Sequence, residues 1–110
     1  MSVTSQIIQD SRVITIAGEL DPASAPKLIA AVDISDTARL VLDLTDVTFM
    51  DSSGLGAVLY AWRYAREAGG RLLIVCPVEA YIRRTFARSG VAKWLTICHS
   101  LDDALTARYR

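Results

Sequence analysis

The sequence predicts an α/β domain, with a largely parallel sheet that opens on a hairpin and helices packed against it. Three observations predict it. Two short Ile/Val-rich runs, residues 5–10 and 12–18, are separated by Asp10-Ser11 and read as a β-hairpin. The runs at 39–44 and 71–75 are nearly continuous in apolar character, as expected of strands buried on both faces. Stretches of helical spacing lie between these runs, so the strands after the hairpin are joined by crossovers and lie parallel. At 110 residues the chain has room for one domain and one core.

In the second strand Val13, Thr15 and Ala17 alternate with Ile14 and Ile16, which puts cover on both faces. Gly18 breaks that strand, and Asp21-Pro22 reads as an N-cap followed by proline at the first helical position. A helix over about 23–32 would bury Leu28, Ile29 and Val32, and Pro26 within its first turns allows a later start. Residues 33–38 form a polar connection to the strand at 39–44, in which Asp43 is the odd residue. Thr45-Asp46-Val47-Thr48 reads as a turn, and Phe49-Met50 as a short apolar anchor.

A long helix is predicted over 53–68. Its apolar stripe is Leu55, Val58, Leu59, Trp62 and Ala65, facing the sheet. An adjoining stripe of Ser53, Gly56, Ala57, Tyr60 and Tyr64 reads either as a partly solvated helix side or as an exposed binding face. Gly69-Gly70 ends this helix. The strand at 71–75 is stopped by Pro77, and a helix over 78–89 turns Ile82 and Phe86 inward and Arg83, Arg84 and Arg88 outward. After Gly90 comes a last strand at 94–98. Ser100-Leu101-Asp102-Asp103 fits a capping box for a final helix with Leu101, Ala104 and Leu105.

Composition narrows the function. Twelve basic and twelve acidic side chains cancel, so nothing argues for electrostatic binding to nucleic acid or anionic lipid. No apolar run approaches the ~20 residues that span a bilayer. Met1 to Ser5 lack the charged and apolar regions of a signal peptide, so the expected location is the cytoplasm. Cys76 and Cys98, with His99 as the one histidine, are too few and too widely spaced for a metal site, and buried reduced thiols are expected.

Nucleotide and hydrolase motifs fail residue by residue. No lysine lies between Lys27 and Lys93, as a Walker loop would need. Leu59 stands where the dinucleotide fingerprint needs its third glycine. Asp51 and Leu55 stand where a nucleophile elbow needs glycines. A receiver-type phospho-aspartate at Asp43 or Asp51 would want a lysine at a later strand end, and residues 71–76 supply none. The expectation is therefore no catalysis and no cofactor.

What remains is the stretch Val47 to Gly56. Asp51, Ser52 and Ser53 stand directly before an apolar-periodic run, where side-chain oxygens accept from first-turn amides. Gly54 and Gly56 leave that turn bare to an approaching molecule. A phosphate there would meet free amides and the positive end of the helix dipole. On these residues alone, capping by Ser52 or Ser53 and a phosphate-linked role stand equally open.

Phe49-Met50-Asp51-Ser52-Ser53-Gly54-Leu55-Gly56 closely resembles the phosphorylation segment of bacterial anti-sigma factor antagonists (anti-anti-sigma factors), stand-alone STAS domains of the family shared with sulphate transporters. Gly18-Glu19-Leu20-Asp21, followed by Ala25-Pro26 and Leu28, is similar to the family's N-terminal signature. The resemblance spans nearly the whole chain and implies a single STAS-like domain, residues 1–110: a mixed sheet of about five strands and about four helices. It implies phosphorylation of Ser53, the second serine of its motif, and a partner surface of Asp21, Asp51, Ser52, Ser53, Gly54, Gly56, Ala57 and Tyr60. Partner switching is the implied mechanism, and it regulates transcription. The unmodified protein binds an anti-sigma factor with serine-kinase activity, which supplies ATP and Mg²⁺, and the sigma factor is released. A serine phosphatase resets the switch. The protein itself is expected as a monomer or weak dimer. The competing expectation is a non-catalytic subunit of a larger assembly, a stress-signalling scaffold or a lipid-transport complex.

Overall fold

The computed structural model describes residues 1–35, 39–77 and 79–106. Strands β1 (Ser2–Ile8) and β2 (Ser11–Leu20) lead to helix α1 (Ala25–Asp33) and strand β3 (Arg39–Met50). Helix α2 (Ser52–Glu67), strand β4 (Arg71–Val75) and helix α3 (Arg83–Ser89) follow. A 3₁₀ turn (Val91–Lys93), strand β5 (Thr96–Cys98) and helix α4 (Leu101–Thr106) complete the described order. The sheet has five strands in the order β1-β2-β3-β4-β5. β1 and β2 are antiparallel, and β2 through β5 are parallel. This is the predicted mixed α/β sheet with its hairpin edge.

The hairpin turn is Gln9-Asp10, both at positive φ (50° and 68°), one residue earlier than the sequence suggested. Two left-handed residues give the turn whose twist suits a tight hairpin. Residues 45–48 are not a turn: β3 runs through them to Met50. The polar residues there lie beside two irregularities in the pairing with β2, between Thr15 and Ala17 and between Gly18 and Glu19. At each, β3 spends one residue more than β2, as in a bulge. Asp43 shapes the first, its Oδ1 accepting from the amide (3.1 Å) and hydroxyl (2.6 Å) of Thr45.

The other boundaries shift for local reasons. Helix α1 starts at Ala25 with Pro26 in its first two positions, after a turn over 22–24. Helix α3 starts only at Arg83, and the predicted start of that helix at Val78 lies outside the described residues, as do positions 36–38 of the polar connection. Trp94 is not in the last strand, because Val91–Lys93 coils first.

The core divides by sheet face. Ile14, Ile16, Leu40, Leu42, Leu72 and Ile74 point to the side covered by α1, α2 and α3, where Leu28, Val58, Ile82 and Phe86 meet them. Val13, Val41, Leu73 and Val75 point to the other side, under Ala104 of α4. Each central strand therefore has two buried faces, which is why its sequence runs nearly without polar breaks.

The interior face of α2 is rotated from the one the large apolar residues suggested. Gly54, Ala57, Val58, Ala61 and Ala65 are buried, while Leu55, Leu59 and Trp62 are half-buried at the flanks. Small residues let the helix lie close to the sheet, and the larger ones fill the margins. Trp62 packs edge-to-face on Trp94 (5.9 Å between ring centroids) beneath the Arg66 guanidinium.

Candidate functional site

The site forms where two parallel strands end together. Leu20 closes β2 opposite Met50 of β3, and each is followed by an aspartate, Asp21 and Asp51. The Asp51 amide donates to the Leu20 carbonyl (3.3 Å), tying the start of α2 to the end of β2. Asp51 is extended, and its Oδ1 accepts from the Gly54 amide (3.1 Å). Asp51 is thus the N-cap, and neither serine performs that role. Among the described residues, no protein hydrogen bond engages the hydroxyl of Ser52 or Ser53.

Gly54 is fixed by its neighbours. A Cβ there would sit 2.4 Å from the Leu20 carbonyl oxygen and under 3 Å from Met50 Cγ and Leu20 Cγ. Only glycine lets the helix approach β2 this closely. That contact sets the helix in place and leaves Ser52 exposed and Ser53 half-buried at its first turn. Gly56, one turn on, is exposed, and a Cβ built on it meets nothing within 4 Å.

Asp21 is held by its own loop. Its Oδ1 accepts from the amides of Ala23 (3.0 Å) and Ser24 (3.1 Å). Ser24 returns the exchange by accepting from the Asp21 amide at 2.9 Å. The one proton of the Ser24 hydroxyl goes to the Glu19 carbonyl, its shortest contact at 2.7 Å. The Ser24 amide, foremost among these bonds, holds the Asp21 carboxyl below its ordinary value. Among the described residues Ser24 is the one buried polar side chain, and the sequence alone did not single it out. Its signal was the reciprocal spacing Asp21-x-x-Ser24, the logic of a capping box.

Of the expected surface, Asp21, Asp51, Ser52, Ser53 and Gly54 meet at this end of the sheet, though Gly54 is buried. Gly56 extends the accessible patch by one turn. Ala57 does not belong to it: at 1% exposure it packs into the core, because it follows Gly54 by three residues on the sheet-facing stripe. Tyr60 lies about 10 Å along the helix from Ser53. Its ring is partly exposed, and its hydroxyl donates to Asp33 Oδ1 at the end of α1, which raises the phenol's pKa. Tyr64 repeats the tether, donating to the Ser35 carbonyl at 3.2 Å.

Among the described residues, no catalytic grouping accompanies the serine. His99 follows β5, two strands (about 10 Å across the sheet) from β3, and lies one residue beyond the level of Asp43, whereas Ser53 stands ten residues beyond it. Cys76 and Cys98 are free; they pack on opposite faces of the sheet, and burial pushes both thiols up. Among the described residues, no group of three His, Cys, Asp or Glu could hold a metal ion, and no helix is long and apolar enough to cross a membrane.

Sheet order, helix placement and a serine presented on the first turn after the third strand define a small α/β domain with its distinctive chemistry on the surface. The chain belongs to the STAS domain family, which its sequence matches over residues 2–104. It is 32% identical over 98 residues to the anti-sigma F factor antagonist of Paenibacillus polymyxa, covering 86% of this chain and 83% of that one. Its fold superposes on an anti-sigma factor antagonist from Mycobacterium paratuberculosis with a TM-score of 0.83 and 29% identity, covering 96% and 91% of the two chains. It also superposes on the anti-sigma factor antagonist SpoIIAA in its unphosphorylated form, with a TM-score of 0.75 and 25% identity over 94% and 93%.

Proposed function

We propose that this protein is an anti-sigma factor antagonist whose binding surface is the Asp51–Gly56 turn and the adjoining Asp21 loop, switched off by phosphorylation of Ser53. One observation carries the reading. Asp51 takes over the capping role, so among the described residues nothing bonds the Ser53 hydroxyl on the first turn of a 16-residue helix. A phosphate there would meet the helix N-terminus, a setting that favours it by about 0.3–1 kcal/mol. The names of the relatives support the partner class, an anti-sigma factor. That partner would supply the kinase activity, the ATP and the Mg²⁺, and a separate phosphatase would reverse the mark. This chain acts by binding, without catalysis, in the cytoplasm.

The switch would work through the interface. A phosphoserine adds roughly −1.5 to −2 charges at neutral pH. A partner surface lying against Ser52, Ser53 and Gly56 would have to accommodate a solvated dianion. Moving a bound population from 99:1 to 1:99 takes about 5.5 kcal/mol, which steric blockage and desolvation together can reach.

The experiment is to incubate the protein with anti-sigma factor kinases and ATP, map the phosphate by mass spectrometry, and titrate both forms with the partner. Phosphate on Ser53, loss of binding on phosphorylation, and constitutive binding by Ser53→Ala are expected. Phosphate on Ser52 would move the switch. Equal affinity of the two forms would favour a subunit of a larger assembly that phosphorylation does not control.

A further inference from the structure

The two edges of the sheet differ. β5 is three residues long, too short to template another strand, whereas β1 runs for seven residues in unbroken register with β2. Edge strands are ordinarily guarded by charge, proline, a bulge or brevity. Ser2-Val3-Thr4-Ser5-Gln6-Ile7-Ile8 has none of these guards.

The hairpin geometry fixes which backbone groups β1 leaves open. Ile8 and Ser11 flank the two-residue turn as a hydrogen-bonded pair, and such pairs alternate along the ladder. The amides and carbonyls of Ile8, Gln6, Thr4 and Ser2 therefore point at β2, and those of Ile7, Ser5 and Val3 point outward. These three outward residues also share one face of the strand. On that face Val3 is half-buried against the core, while Ile7 is 48% exposed.

We propose that β1 is a self-complementary edge, on which a second copy of this chain pairs antiparallel about Ser5, joining two five-stranded sheets into one. With Ser5 opposite Ser5 of the second copy, Val3 falls opposite Ile7, and Ile7 opposite Val3. Each of these three opposed pairs exchanges two backbone hydrogen bonds, about six in all. The exposed Ile7 gains an apolar neighbour, and no charged side chain of either β1 opposes another. The contact is about 24 Å long and one sheet, about 10 Å, deep. That is a few hundred Å² per protomer, below the roughly 800 Å² of a stable complex. The dimer is accordingly weak and depends on concentration. It rests on the edge strand alone and stands independently of Ser53, whose helix follows β3, two strands away from β1.

Sedimentation of the full chain from micromolar to millimolar concentration tests it, with hydrogen exchange recorded over the same range. The average mass should rise toward twice the monomer. Amide protection should grow at Val3, Ser5 and Ile7, while Thr4 and Gln6, already paired to β2, stay unchanged. Ser5→Lys puts two like charges on the two-fold axis and should return the protein to monomer with an unchanged circular dichroism spectrum. A protein that stays monomeric throughout overturns the proposal. So does a dimer that persists in Ser5→Lys, or one whose concentration-dependent protection maps away from β1. The exchange pattern of the unmodified chain decides the matter even if the variant folds poorly.

Discussion

Two glycines, two residues apart in one helical turn, should respond in opposite directions to the same methyl group. Gly54→Ala would place Cβ 2.4 Å from the Leu20 carbonyl oxygen, with two further carbons under 3 Å. To reach ordinary contact the helix start must move by roughly 0.8–1 Å, against backbone rather than a yielding side chain. The same carbonyl accepts from the Asp51 amide, so the movement also loosens the anchor of the N-cap. Overpacking of this kind costs about 1–3 kcal/mol, and improved helix propensity returns at most about 1. Gly56→Ala meets nothing within 4 Å and keeps the propensity gain, up to about 1 kcal/mol. The propensity gain is common to both, so the two variants should differ by the overpacking cost, about 1–3 kcal/mol. With a urea m-value of about 1–3 kcal/mol per molar, their midpoints should separate by an amount on the order of 1 M, with the unmodified protein between them. Equal shifts of both midpoints in the same direction would refute the close-approach reasoning, and with it the account of how α2 is seated.

Other outcomes follow from the same geometry. Ala57→Leu should lower the thermal midpoint by overpacking the core, at a cost of about 1–3 kcal/mol, whereas Gly56→Arg should not lower the midpoint and should weaken the partner's binding measured by calorimetry. Asp21, with its carboxyl lowered in the folded state, stabilises the protein above the ordinary aspartate range and loses that contribution as the pH falls through the lowered value. Asp21→Asn should therefore be less stable at neutral pH, by a margin that shrinks toward low pH in denaturant titrations. Burial pushes both thiols up, Cys76 within the core and Cys98 at half-burial, so alkylation at neutral pH followed by mass spectrometry should label Cys98 first.

The sheet was legible in the sequence because its central strands are buried on both faces and leave long apolar runs between glycine-bearing breaks. The helix start at the candidate site was legible because Asp51-Ser52-Ser53-Gly54 carries the residues that begin a helix. The orientation of α2 was not. Apolar periodicity weights large residues, and Leu55, Leu59 and Trp62 outscore glycine and alanine, yet closest approach belongs to the small ones. Ala57 was therefore assigned to the surface when it lies in the core. The length of β3 was hidden for a different reason: Thr45, Asp46 and Thr48 look like a turn until two bulges against β2 account for them. Ser24 escaped because a lone serine before a proline-bearing helix shows its partners only once Glu19 and Asp21 fold back on it.

These details bear on how a modification at Ser53 would act. The start of α2 is pinned from beneath by the Gly54 contact and the Asp51 amide, and further along the helix by the tyrosine tethers to Asp33 and Ser35. A favourable helix-terminus interaction of about 0.3–1 kcal/mol is too small to displace a joint whose disturbance costs several times more. Charge added above a pinned helix start leaves the sheet as it was and alters only what can lie on the turn. On that argument, NMR shift changes on phosphorylation should be confined to the Asp51–Gly56 turn and the Asp21 loop. Shifts spread through β3 and β4 would mean that the joint is softer than its contacts imply and that the signal passes through the fold.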